Sequence, residues 1–227
     1  MKNLLLSMLV LFLVHSYSIA QNSCSKYYPL EEGAKFEITS YNKKGKLSAT
    51  INYEVKEFNG SKALLSNKIL DKKGKLIIES DYTILCSASG VSIDFKSMMS
   101  PDLFKQYESI EVDLTGNNIE IPNNLKVDQK LPDANMYMAI NMAGIKMNIN
   151  MNMIDRVVKG TESITTPAGT YECIIISYIS EVKMGTGISR SGTSKQWLSE
   201  GVGMVKSEEY DTNGNLMSYS LLTSYSK

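Results

Sequence analysis

The apolar residues of this chain recur at every second position, and few patterns restrict a fold more tightly. Leu47, Ala49, Ile51, Tyr53 and Val55 alternate with Ser48, Thr50, Asn52, Glu54 and Lys56. Successive side chains of a β-strand point to opposite faces, so this stretch has one apolar face and one wettable face. Phe36 and Ile38 repeat the pattern more briefly. Leu76 to Leu85 and Thr170 to Val182 are more continuously apolar, the pattern expected of strands covered on both faces.

Hairpin turns punctuate these strands. Asn42-Lys43-Lys44-Gly45, Asp71-Lys72-Lys73-Gly74 and Asp211-Thr212-Asn213-Gly214 share one form, an Asx followed by Gly three residues later. The Asx side chain bonds the turn backbone, and Gly takes positive φ without steric cost. Strands resume at Leu47, Leu76 and Leu216. Asn59-Gly60 and Gly116-Asn117 read the same way. The spacing is irregular, so the recurrence is not a solenoid. One short helix is expected where Ser100 caps, Pro101 opens, and Leu103, Phe104 and Tyr107 cover a sheet face. The stretch Pro122 to Pro132 is loop-like and divides two possible meanders. The expected fold is all-β, an antiparallel β-roll, barrel-like form or sandwich of about a dozen strands. Residues 21–227 would form a single domain. An outer-membrane barrel is disfavoured, because Lys, Glu and Asn stand opposite the core and the chain ends Ser226-Lys227.

Residues Met1 to Ala20 read as a cleavable secretory signal peptide. Lys2 precedes an apolar run from Leu4 to Val14, and Ser18-Ile19-Ala20 supplies the small residues of a cleavage site. The run is too short to span a bilayer core of roughly 30 Å. Lipidation at Cys24 is disfavoured, because only Ser23 of the preceding Gln21-Asn22-Ser23 suits it. The chain carries 24 basic and 24 acidic side chains, and Lys2 leaves with the signal. The mature form therefore has no basic excess, which argues against nucleic acid as a partner. No later segment is apolar enough for a membrane span. The only histidine, His15, also leaves with the signal. Its loss removes Ser-His-Asp and Cys-His schemes, histidine-ligated metals and the usual neutral-pH base. No cofactor or metal is expected, and carboxylate, lysine or tyrosine chemistry is all that remains.

The most unusual segment is Asn135 to Ile154. Met136, Met138, Ile140 and Met142, then Ile145, Met147, Ile149, Met151 and Met153, fall on alternate positions on either side of Ala143-Gly144. Six of the 13 methionines thus share one face of a hairpin, and asparagines line much of the other. The plainest reading is a core face. A pliable apolar pocket comes second, and a thioether Cu(I) site third.

Three cysteines follow the signal: Cys24, Cys86 and Cys173. Cys173 lies within an apolar strand, whereas Cys24 starts the domain and Cys86 ends a strand. A Cys24–Cys86 bridge is the expected pairing in an oxidising compartment, worth roughly 3–4 kcal/mol if unstrained. Glu31-Glu32 and Glu208-Glu209 are adjacent pairs that a strand points to opposite faces, so neither is an acid/base pair by itself. Arg156 and Arg190 are the only arginines, and Asp155 or Glu162 is the expected partner of Arg156 in a structural ion pair.

Cys24, Tyr28-Pro29-Leu30, Glu32-Gly33, Cys86 and Ile93-Asp94 are followed by Asp155-Arg156-Val157-Val158 and Glu162. Thr166-Pro167-Ala168-Gly169-Thr170-Tyr171-Glu172-Cys173, Trp197 and Gly201-Val202-Gly203-Met204-Val205-Lys206 complete a set that covers nearly the whole mature chain. In these features the chain resembles the TapB-like group of exported bacterial proteins, related to a larger family known only as a domain of unknown function. The methionine hairpin is not part of that pattern. The resemblance implies a roll or barrel-like fold in the periplasm of a Gram-negative bacterium, no catalytic residues, and association with another envelope protein. Physically, Thr166 to Thr170 is a hairpin turn, and Gly201 and Gly203 suit a tight turn or bulge. A phosphate loop would need a following helix and a Lys-Ser pair directly after its last glycine, whereas Met204-Val205 follow Gly203 here.

The expected function is that of an exported, non-catalytic binding or interaction module of the cell envelope. The candidate face joins Met136, Met138, Met142, Met147, Met151 and Met153 to Trp197. An apolar or lipid-like ligand is the first candidate occupant, and an adaptor role toward another envelope protein is the second. A histidine-free enzyme comes last.

Overall fold

The computed structural model describes residues 24–94, 110–142, 145–185 and 187–227. The signal segment, the helix expected around 100–107 and the 143–144 hairpin tip lie outside them. The described residues contain no helix. They form thirteen antiparallel strands in one sheet.

A first meander comprises β1 (Lys35–Asn42), β2 (Leu47–Phe58), β3 (Lys62–Asp71), β4 (Leu76–Ser87) and β5 (Gly90–Ile93). Then β6 (Ile110–Gly116) and β7 (Ile119–Pro122) follow each other directly. A second meander comprises β8 (Ala134–Met142), β9 (Ile145–Thr166), β10 (Gly169–Met184), β11 (Ser189–Ser199), β12 (Gly203–Asp211) and β13 (Leu216–Ser226). Pairing of β1 with β13 joins the two meanders, so the stretch 122–132 connects strands of the same sheet.

The order across the sheet runs from β6 at one end to β7 at the other. Only Asn117 and Asn118 separate these two strands in the chain. The segment pairs first with β8 and then with β5, so it brings the two ends of the sheet together. The right-handed twist of a sheet this large favours such rolling, which leaves fewer free edges.

Inside the roll, Val55, Leu65, Ile84, Met136, Val158, Ile176 and Leu198 belong to one core cluster, each almost fully buried. A second cluster holds Ile38, Ile164, Cys173, Trp197, Val205 and Leu222. Strand β10 serves both: Ile174, Ile176 and Tyr178 face the first, Tyr171, Cys173 and Ile175 the second. Its continuous apolar run is thus explained by cover on both faces. Strand β4 differs. Tyr82 and Ile84 are buried, but Leu76, Ile77 and Leu85 are exposed, so the expectation of cover on both faces fails there.

One end of the roll is closed by residues 24–34. Cys24 is bridged to Cys86, with their Cα atoms 5.6 Å apart. Tyr27, Leu30 and Ala34 are buried in the first cluster. The Gly33 N–H donates to the Val55 carbonyl (2.9 Å), and the Gly201 N–H donates to the Lys26 carbonyl (2.9 Å). Asn123 Nδ2 donates to the Cys24 carbonyl (2.9 Å), and its Oδ1 accepts from the Lys26 N–H (2.8 Å). The segment after β7 is thereby tied to the start of the domain.

Candidate functional site

The methionine hairpin has the register that its alternation requires. Met136 lies opposite Met151, Met138 opposite Ile149, Ile140 opposite Met147, and Ala134 opposite Met153. Directly opposed residues share a face, so these side chains form one apolar surface. Much of that surface is interior: Met136 and Met138 are fully buried, and Met153 nearly so. Met151 packs against the first cluster and Met147 is half-buried. The strand pairing places Met142 opposite Ile145 next to the tip. On the opposite face, Tyr137 and Asn148 are exposed.

Trp197 does not join this surface. It is buried in the second cluster, whereas its neighbour Leu198 points into the first with Met136 and Met153. Adjacent residues on a strand face opposite ways, so the methionine hairpin and Trp197 lie on different faces of the sheet. The Trp197 Nε1–H donates to Glu162 (2.7 Å), and the Lys206 ammonium sits 4.5 Å from the centre of its ring. Glu162 is therefore engaged by Trp197 and not by Arg156.

Arg156 is placed by a bulge. Ile154 pairs with Ile179 and Val157 with Ser177, so Asp155 and Arg156 together oppose Tyr178. Asp155 takes the left-handed conformation (φ 54°), which Asp tolerates better than most residues. The extra residue reverses the alternation along β9. Met151 and Met153 face the core before it, Arg156 and Val158 after it. The buried guanidinium donates to the Pro132 carbonyl (2.7 Å) and the Glu120 carbonyl (3.0 Å), linking β9, β7 and the segment before β8. Its Nε has no hydrogen-bond partner among the described residues, and burial pulls the guanidinium pKa below its usual range. The expected carboxylate ion pair is replaced by backbone carbonyls. The sequence shows the Asp-Arg pair but not that a bulge turns the arginine inward.

The remaining chemistry is dispersed. Ser194 donates to Glu209, whose carboxyl is pushed up by burial. Glu208 is held by Lys206 (2.8 Å) and by the Tyr210 hydroxyl. Cys173 is free and buried, and burial pushes its thiol up to about 11. Among the described residues no three Cys, Asp or Glu side chains are grouped to hold a metal ion. Surface depressions of about 230, 260 and 500 Å³ open to solvent. Their walls include Lys35 and Glu54, Glu120 and Gln129, and Lys130, Asp155 and Lys159, respectively.

Fold and site together define an all-β protein whose thirteen antiparallel strands, among the described residues, form one sheet around a buried apolar interior. The chain belongs to the DUF3108-like family, whose model matches residues 31–222. A candidate lipoprotein from Parabacteroides distasonis ATCC 8503 is 26% identical and superposes with a TM-score of 0.72, over 89% of this chain and 99% of its own. A candidate exported protein with a YmcC-like fold from Bacteroides fragilis NCTC 9343 is 22% identical, with a TM-score of 0.71 over 90% and 100% of the two chains. No curated protein matches the chain.

Proposed function

We propose that this protein is an exported, non-catalytic interaction module of the cell envelope that engages its partner through its outer surface. The observation that carries this reading is the packed interior. Met136, Val158, Ile84 and Leu65 are buried where an apolar ligand would need space, and the depressions walled by Lys35 and Glu54 and by Lys130, Asp155 and Lys159 are open to solvent. A carrier instead needs an enclosed, largely apolar cavity. The apolar-ligand reading thus ranks second, and its remaining room is the outer part of the hairpin near Met147.

Export is supported by the signal-like residues 1–20 and by the Parabacteroides distasonis relative described as a candidate lipoprotein. Lipid attachment at Cys24 is disfavoured further, because its sulfur is bonded to Cys86. The absence of histidine after residue 20 supports a non-catalytic role, as does the engagement of Glu209 by Ser194 and of Glu162 by Trp197. The TapB-like resemblance favours association with another envelope protein.

Native mass spectrometry of protein purified from the envelope tests this. The expected species is the processed chain alone, with one disulfide. A stoichiometric lipid that survives gentle desolvation would overturn the surface reading in favour of a carrier. Recovery of the unprocessed chain from the cytoplasm would overturn the envelope reading itself.

A further inference from the structure

In an antiparallel meander, every second connection falls at the same end of the sheet. The β1–β2, β3–β4, β10–β11 and β12–β13 connections therefore share the end opposite residues 24–34. Three of these tips are contiguous. Asp71 of β3 pairs with Ala49 of β2, and the Lys43 N–H donates to the Met217 carbonyl (3.0 Å).

The three tips are built alike. The Asn42 side chain accepts from the Lys44 and Lys46 amides, Asp71 from those of Lys73 and Lys75, and Asp211 from those of Asn213 and Asn215, all at 2.8–3.1 Å. Both carboxylates are thus engaged within their own turns, which holds their pKa values below the usual range, Asp211 first through the Asn215 side chain and then its amide, Asp71 through the Lys75 and Lys73 amides. Six lysines project from two of the tips: Lys43, Lys44, Lys46, Lys72, Lys73 and Lys75. All six are exposed, and among the described residues none is within ion-pair distance of a carboxylate. A quarter of the 24 basic side chains of a charge-balanced protein is gathered here.

Apolar side chains are gathered at the same end. Of nine exposed large hydrophobic residues among those described, six flank these connections: Leu47, Leu76, Ile77, Met184, Ile188 and Met217. Ile77 is 57% exposed and Leu76 48%. Apolar groups exposed together beside basic ones mark a surface that has a partner.

We propose that this rim docks on an anionic phospholipid bilayer. Lysines held by rigid turns meet the headgroup charge, while the leucine, isoleucine and methionine side chains enter the interface between headgroup and acyl chain. The combination distinguishes a bilayer from nucleic acid, whose phosphates would match the lysines and leave the apolar groups in water. The proposal rests on the envelope reading, because the chain must reach a bilayer surface. It would also give a chain whose Cys24 is bridged a second route to the membrane.

The test uses the exported, processed protein in a flotation assay. One set of vesicles is phosphatidylcholine alone, and the other is enriched in phosphatidylglycerol. The protein should float with the anionic vesicles at low salt, remain behind with the neutral ones, and be largely released as salt shortens the screening length. The double variant Lys44→Glu, Lys73→Glu should lose at least about ten-fold in affinity at an unchanged melting temperature, since each lysine near such a surface is worth roughly five-fold. Leu76→Ser with Ile77→Ser should abolish the fraction that salt does not release. Absence of flotation with anionic vesicles at low salt overturns the proposal, as does equal binding by the lysine variant. Capture of an acidic protein through the same lysines, with vesicles ignored, also overturns it. An exported protein that ignores vesicles removes the rim proposal alone, whereas a cytoplasmic protein that binds them removes the envelope reading.

Discussion

The two ends of the roll are built from similar materials put to opposite uses. At the closed end, Tyr27, Leu30 and Ala34 are buried, Cys24 is bridged to Cys86, and Arg156 spans two backbone carbonyls beneath the segment before β8. At the other end, Leu47, Leu76, Ile77 and Met217 are exposed beside six lysines, none within ion-pair distance of a carboxylate among the described residues, with Asp71 and Asp211 the acidic groups nearest them. The difference is one of cover. An end capped by its own chain gains stability from its apolar and charged groups. An end that the described residues leave uncovered keeps the same groups available for another surface. Substitutions should therefore be costly to folding at the first end and nearly silent at the second.

The strongest test of that contrast is removal of the bridge. Cys24→Ser with Cys86→Ser should lower the unfolding free energy by about 3–4 kcal/mol, since it closes a separation of 62 residues. A urea titration measures the loss. A change under about 1 kcal/mol would mean that residues 24–34 hold the end shut without it.

Arg156→Ala should cost about 2–3 kcal/mol, because it strips the donors from the Pro132 and Glu120 carbonyls and leaves a void. Arg156→Lys should recover only part of this, as one ammonium cannot span both carbonyls as the planar fork does. Full recovery by lysine in thermal melts would reduce the residue to a simple charge.

At the open end the effects should shrink. Gly74→Ala should cost about 1 kcal/mol. Its φ is +79° and a new Cβ would meet nothing within 4 Å, so the cost is conformational and not steric. Lys44→Glu with Lys73→Glu should change stability by less than about 0.5 kcal/mol. A larger loss by calorimetry would show that the rim is part of the folding machinery, and the contrast between the ends would collapse.

Much of the architecture was legible in single stretches of sequence. The alternation from Leu47 to Val55 became β2, and the register of the methionine hairpin followed from its period of two. The three Asx-to-Gly turns became three hairpin tips with one hydrogen-bond pattern. These features are local, and local features depend on neighbouring residues alone. The candidate site was less legible. The methionine face and Trp197 read as one surface because both are apolar, yet the alternation along β11 turns Leu198 toward the methionines of β8 and β9 and Trp197 to the opposite face. Arg156 looked like half of an ion pair, and a two-for-one bulge against Tyr178 turned it onto carbonyls instead.

The lysine tips show the same boundary most plainly. Each was visible as a turn, and nothing in a turn says which other turns stand beside it. Strand order supplies that, because alternate connections of a meander share an end and the pairing of β13 with β1 brings separate parts of the chain together. The sequence alone determined that the chain is β-structured, where it bends and which residues bond each bend. Tertiary structure decided which apolar side chains are covered and which charges are neighbours. Both depend on contacts between residues far apart in the chain, and no local pattern encodes those.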